Sequence, residues 1–135
     1  MEITISIQPA SEPIAVMRPR GNLDASNFME VLDKARELYN NPARNLIIDL
    51  SEVPYISSAG LIAIHQISLL YSGVPQEVEK NDKEIIRPDF THSSSARKHV
   101  KLLSPQPNVE KTIEISGFKL FFKVFNDLES AIKSF

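Results

Sequence analysis

The sequence contains no cysteine. Disulfides, thiol catalysis and cysteine-ligated zinc are therefore excluded, and the absence fits a reducing compartment. An excess of charge of one sign is also missing. Fifteen Lys plus Arg stand against seventeen Asp plus Glu, for a formal net charge of −2. There is no bulk positive field to attract nucleic acid or an acidic membrane surface. Long apolar runs are missing too. The most apolar stretch, 59–71, is interrupted by Gly60, His65, Gln66 and Ser68, and it is too short and too polar to span a bilayer. The start, Met1-Glu2-Ile3-Thr4, lacks the basic segment and apolar run of a secretory leader. The expectation is a cytoplasmic protein that binds neither nucleic acid nor membrane.

Nucleotide fingerprints are likewise absent. Neither GxGxxG nor GxxxxGK[ST] occurs, and Ser58-Ala59-Gly60 is no GxSxG elbow because position 56 is Ile. His65, His92 and His99 show no mutual ligand spacing. No catalytic residue, metal ligand or cofactor site is read, so an enzyme is not expected. Arg97, Lys98 and Lys101 form the one basic cluster, read as a solvated rim.

What is present is an ordinary globular balance, 42% apolar and 24% charged over 135 residues. That length suits one domain. Ile3-Thr4-Ile5-Ser6-Ile7 alternates with period two, as a half-buried strand does. A second strand, 14–17, ends near Pro19 and pairs antiparallel with the first. Phe28, Val31, Leu32, Ala35, Leu38 and Tyr39 share one helical face. Asp24 or Ser26 is the expected cap, and Asn40-Asn41-Pro42 the stop. Leu46-Ile47-Ile48-Asp49-Leu50 reads as a buried central strand. A second helix covers 58–71, capped by Ser57 or Ser58 and closed by Gly73.

The segment 74–98 is polar, charged and long for a loop, and is read as an insert within a single domain spanning 1–135. A strand at 100–103 follows. Pro105 and Pro107 open a short helix that Gly117 stops. A last strand at 120–125 and a final helix, with Asn126 and Glu129 as a capping box, close the chain. The expected fold is α/β in the order β-β-α-β-α-β-α-β-α. It is a mixed four- to five-stranded sheet with about four helices, and the later strands run parallel.

One stretch carries chemistry: Asp49-Leu50-Ser51-Glu52-Val53-Pro54-Tyr55-Ile56-Ser57-Ser58-Ala59-Gly60-Leu61. A buried strand ends in an acid, and a tight connection delivers two hydroxyls to the first turn of a helix. First-turn N–H groups lack intrahelical partners, and the helix dipole adds positive potential there. The hydroxyls can simply cap the helix, worth ~1 kcal/mol. Alternatively one is a phosphorylation target, its phosphate tolerated by the free N–H groups.

This stretch resembles the signature of STAS domains of anti-sigma factor antagonists, in which an Asp-Ser-Ser-Gly-Leu-like motif opens the second helix. Gly21-Asn22-Leu23-Asp24 is similar to the family's Gly-x-Leu-Asp loop, and Leu103-Ser104-Pro105 and Ile115-Ser116-Gly117-Phe118 to its later junctions. The resemblance covers about 3–72 and 99–135, and the insert lies outside it. It implies a STAS-like sandwich and partner switching. On that resemblance the unmodified protein is expected to bind an anti-sigma factor that is a serine kinase of the histidine-kinase-like ATPase class. Phosphorylation is then expected to release it, and a phosphatase to reset it. Aligned on Gly60-Leu61, Ser58 falls on the modified position, with Ser57 as the fallback. Ser57 replaces the usual Asp, and Ala59 the usual Ser or Thr. The implied partner-binding residues are Asn22, Asp24, Ser57, Ser58, Ala59 and Gly60. Asp24 is expected near Ser58, with Asp49 and Glu52 as further acids, and the protein is expected to be a monomer. The alternative is an unphosphorylated STAS scaffold, or an accessory subunit of a sensory or transport complex.

Overall fold

The computed structural model describes residues 1–9, 12–40, 44–71, 99–120 and 122–135. The insert, Gly73, His92, Arg97 and Lys98 lie outside the described residues. Five strands form one sheet in the spatial order of the sequence: β1 (Glu2–Gln8), β2 (Ile14–Arg20), β3 (Asn45–Asp49), β4 (Val100–Leu103) and β5 (Val124–Phe125). β1 and β2 are antiparallel, and every later neighbour pair is parallel. Among the described residues there are four α-helices: α1 (Phe28–Asn40), α2 (Ser58–Tyr71), α3 (Pro107–Ile115) and α4 (Leu128–Lys133). The element order matches the one read from the sequence.

Period-two alternation divides the sheet into two faces. Ala15, Met17, Leu46, Ile48, Val100 and Leu102 belong to the larger core, with Val31, Leu32 and Ala35 of α1, Leu61, Ile64 and Ile67 of α2, and Val109 and Ile113 of α3. Ile14, Val16, Ile47 and Leu103 form a smaller core with Ala131 of α4. The α1 face is the one its periodicity marks. The all-apolar run of β3 is fully buried, as a central parallel strand requires.

Four local expectations are corrected. β2 runs through Pro19 to Arg20. Its pairing with β3 stops at Met17, so on that side Pro19 interrupts no ladder. The last strand is only Val124–Phe125, preceded by a 3-10 turn at Phe118–Leu120. Phe122 is buried in the larger core and Phe118 packs against it, so Phe122 serves packing while Val124 and Phe125 pair. The cap of α4 is Asp127, whose carboxylate accepts from the Ser130 N–H at 2.9 Å. The Asn126 carbonyl instead accepts from the Ser104 hydroxyl. Lastly, Lys101 is no rim residue. It is 4% exposed on β4, its ammonium 5.3 Å from the centre of the Phe135 ring.

Parallel strands place their C-terminal ends at one pole of the sheet, and the connections that leave them gather there. Three matter for function: 21–27 after β2, 50–57 after β3 and 104–106 after β4.

Candidate functional site at the start of helix α2

Asp49 ends β3 and anchors the site. It is 3% exposed. One carboxylate oxygen accepts from Arg18 Nε at 2.9 Å and the other from the Ser51 N–H at 2.9 Å. Its charge is thus matched within the fold, and it holds the start of the 50–57 connection.

That connection is gripped from two sides. On one side lies 21–24. The Gly21 N–H donates to the Glu52 carbonyl at 3.0 Å and the Leu23 N–H to the Tyr55 carbonyl at 2.9 Å. The Leu23 carbonyl accepts from the Ser57 N–H at 2.9 Å, and Leu23 and Ile56 form a parallel bridge. Gly21 holds φ at +108°, a backbone conformation that suits glycine where β2 breaks into this loop. On the other side lies 104–108. Gln106 Nε2 donates to the Ser51 carbonyl at 3.0 Å, and Asn108 Nδ2 donates to the Pro54 carbonyl. The Leu50 N–H donates to the Leu103 carbonyl at 2.9 Å.

The two hydroxyls then separate in role. Ser57 is the N-cap of α2, its Oγ accepting from the Gly60 N–H at 3.3 Å. Ser58 is the first helical residue and is exposed. Gly60 is buried against the 21–24 loop. A Cβ placed there would lie 2.7 Å from the Leu23 carbonyl oxygen, 2.7 Å from Ile56 Cγ1 and 2.9 Å from Leu23 Cγ. The glycine is what lets α2 start so close to that loop. Ala59 is half-buried beside it.

Asp24 is engaged within its own loop, and its carbonyl accepts the N–H of Phe28, the first residue of α1, at 2.9 Å. One carboxylate oxygen accepts from the Ser26 hydroxyl at 2.6 Å and the Ser26 N–H at 2.9 Å. The Ser26 hydroxyl, and then its N–H, hold the Asp24 carboxyl below its ordinary pKa of 3.8. Asp24 and Ser26 thus close a turn ahead of α1, which begins at Phe28, and neither is the residue flanking that helix. Asn27 ties the turn together. It accepts from the Asp24 N–H at 3.0 Å and donates to the Asn22 carbonyl at 2.6 Å. The start of α2 touches Leu23, whose carbonyl accepts the Ser57 N–H and lies against Gly60. Asn22 is exposed on the same loop, so Asn22 and Asp24 lie on one connection, Ser57 ends the other, and Ser58, Ala59 and Gly60 form the first turn of α2.

Sequence reasoning missed Gln106 and Asn108, which lie some 54 positions from their acceptors. Two polar amides flanking Pro107 were the only available sign. It also missed Tyr55, whose ring is exposed just ahead of the two serines. Among the described residues no group of three or more His, Asp or Glu could hold a metal ion. Among them, too, no helix is long and apolar enough to cross a membrane.

Comparison with known proteins places this geometry. The profile of the STAS domain matches residues 7–73. Nothing among curated proteins matches the sequence. An anti-sigma factor antagonist candidate from Thermotoga maritima has a similar structure, with TM-score 0.68 and 18% identity, covering 96% of this chain and 92% of its own. The anti-sigma factor antagonist SpoIIAA in its unphosphorylated form follows, with TM-score 0.64 and 16% identity over 96% and 94%. The Bacillus protein is also known in a phosphorylated form, with TM-score 0.56 and 14% identity over 96% and 97%. The murine Slc26a9 anion transporter contains the same fold. There 89% of this chain covers 17% of that one, with TM-score 0.60 and 14% identity. At these identities the likeness establishes the fold.

Proposed function

This chain belongs to the STAS domain family, and from that premise we propose that it is a cytoplasmic anti-sigma factor antagonist that works by partner switching. The unmodified protein binds an anti-sigma factor with serine kinase activity. Phosphorylation of Ser58 by that kinase releases it, and a phosphatase restores the hydroxyl. The observation that carries this reading is the division of labour between the two serines. The Ser57 oxygen takes the Gly60 N–H, whereas Ser58 is exposed at the first position of α2.

A phosphoserine carries about −1.5 to −2 charge at pH 7. Free in solution, water and the helix N-terminus accommodate it without a change of fold. In a complex it would be desolvated close to the 21–24 loop and its ionised Asp24. Burying an unmatched charge costs on the order of 3–5 kcal/mol, which is about 10²–10³-fold or more in affinity. Asp49 is not part of that repulsion, because Arg18 neutralises it. Glu52 is exposed on the same connection and adds to it.

The test uses the cognate anti-sigma factor kinase, with ATP, and reads intact mass and binding. Wild type and Ser57→Ala each gain one phosphate, and Ser58→Ala gains none. Ser58→Ala binds the kinase as wild type does, and Ser58→Asp binds at least about 10²-fold more weakly. Equal binding by Ser58→Asp and wild type would overturn the proposal. The second reading, an unmodified scaffold or an accessory subunit of a sensory or transport complex, is favoured by the fold shared with the transporter. It predicts an association indifferent to Ser58.

A further inference from the structure

The two edges of the sheet differ. β5 presents two residues, while β1 presents seven, paired among the described residues on its β2 side only. A free strand edge is a template for another strand, and proteins usually blunt it with proline, lysine or a bulge. β1 has none of these. It reads Glu-Ile-Thr-Ile-Ser-Ile-Gln and pairs with β2 residue for residue, without a bulge. Its single charge, Glu2, sits at one end, 3.8 Å from Arg20. Ile3 and Ile5 pack against the larger core, but Ile7 is 53% exposed.

We propose that β1 pairs antiparallel with β1 of a second copy of this chain, about a two-fold axis at Ile5. The strand is self-complementary in that register and uses all seven residues. Ile3 lies opposite the partner's Ile7, which covers the exposed isoleucine. Thr4 lies opposite the partner's Ser6, and Glu2 opposite the partner's Gln8, so no like charges meet. A slip by one residue would set every isoleucine against a polar residue. A slip by two would leave either Ile7 or Ile3 beyond the pairing. The contact is isologous, and the two sheets continue into one of ten strands. Seven paired residues are few beside a standard interface, so the dimer forms in a concentration-dependent equilibrium. It departs from the monomer expected from sequence.

The lack of native cysteine makes the register directly measurable. Thr4 and Ser6 are exposed on the polar face of β1, so Thr4→Cys and Ser6→Cys do not disturb the core. Opposed residues have Cβ atoms about 4.5–5.5 Å apart, near disulfide reach, and diagonal ones stand well beyond it. Under mild oxidation an equimolar mixture of the two variants should give a cross-linked heterodimer far faster than either alone. Sedimentation of the wild-type protein should show mass rising with concentration from 15.2 kDa toward twice that value. Ile7→Lys should raise the dimer dissociation constant on the order of tenfold or more, since both symmetry-related pairs are lost. A mass fixed at that of one chain up to the solubility limit would overturn the proposal. So would self-cross-linking of either variant as fast as the mixture. None of these substitutions touches Ser58, so failure here leaves the partner-switching reading standing, and the converse also holds.

Discussion

Replacing Gly60 by alanine separates two physical effects of opposite sign. Helix propensity alone favours alanine inside a helix by about 1 kcal/mol. Packing opposes it. The new Cβ would lie 2.7 Å from the Leu23 carbonyl oxygen and 2.7 Å from Ile56 Cγ1. The oxygen cannot retreat cheaply, because it is backbone and accepts the Ser57 N–H at 2.9 Å. Overpacking typically costs about 1–3 kcal/mol, and contact with a fixed carbonyl belongs at the upper end. The expected net is a destabilisation of about 2 kcal/mol. For a chain of this size that lowers the melting temperature by roughly 8 °C. Urea denaturation gives the free energy, and hydrogen exchange at the Ser57 amide shows whether the bond to Leu23 has opened. A Gly60→Ala protein as stable as wild type, or more so, would refute the reasoning and leave only helix propensity.

The two serines should differ in stability as they do in proposed role. Ser57→Ala loses a cap and about 1 kcal/mol, Ser57→Asp keeps the cap, and Ser58→Ala stays within about 0.5 kcal/mol of wild type, all by urea midpoints. The double variant Gln106→Ala/Asn108→Ala releases the 50–57 connection from one side. Amide exchange at Val53 and Ser57 should quicken while the amides of β3 keep their protection. Asp127 titrates low because the Ser130 N–H, and next its hydroxyl, favour the charged carboxylate. A lowered folded pKa adds stability above the ordinary value of 3.8 that fades as pH falls through the folded one. Asp127→Ala should therefore flatten the acid limb of the stability profile below about pH 4 and lower the plateau above it, as followed by circular dichroism.

Legibility followed the reach of each signal. Local periodicity carried α1, β3 and β4, because a helical face and a buried parallel strand are each written in adjacent residues. It misjudged 120–125, where an apolar run reads the same whether it pairs in a ladder or, as Phe122 does, fills the core. Cap chemistry identified Ser57 as one of two candidates, yet placed the α4 cap one residue early at Asn126. At the site, two hydroxyls ahead of an apolar run were visible, and the family resemblance singled out Ser58. The reason for Gly60 was not visible, since the carbonyl it must clear belongs to Leu23, far back in the chain. Gln106 and Asn108 were hidden for the same reason. Their acceptors are backbone carbonyls, which no side-chain pattern announces.

The polarity of the sheet has a consequence for how such a chain can diversify. Ser58 opens α2 and Tyr71 closes it, so at 1.5 Å per residue the two stand roughly 20 Å apart. The segment 72–98 joins Tyr71 to His99, the residue ahead of β4, whereas Ser58 stands beside the strand exits. Changes at those two points of attachment can therefore leave the geometry around Ser58 untouched.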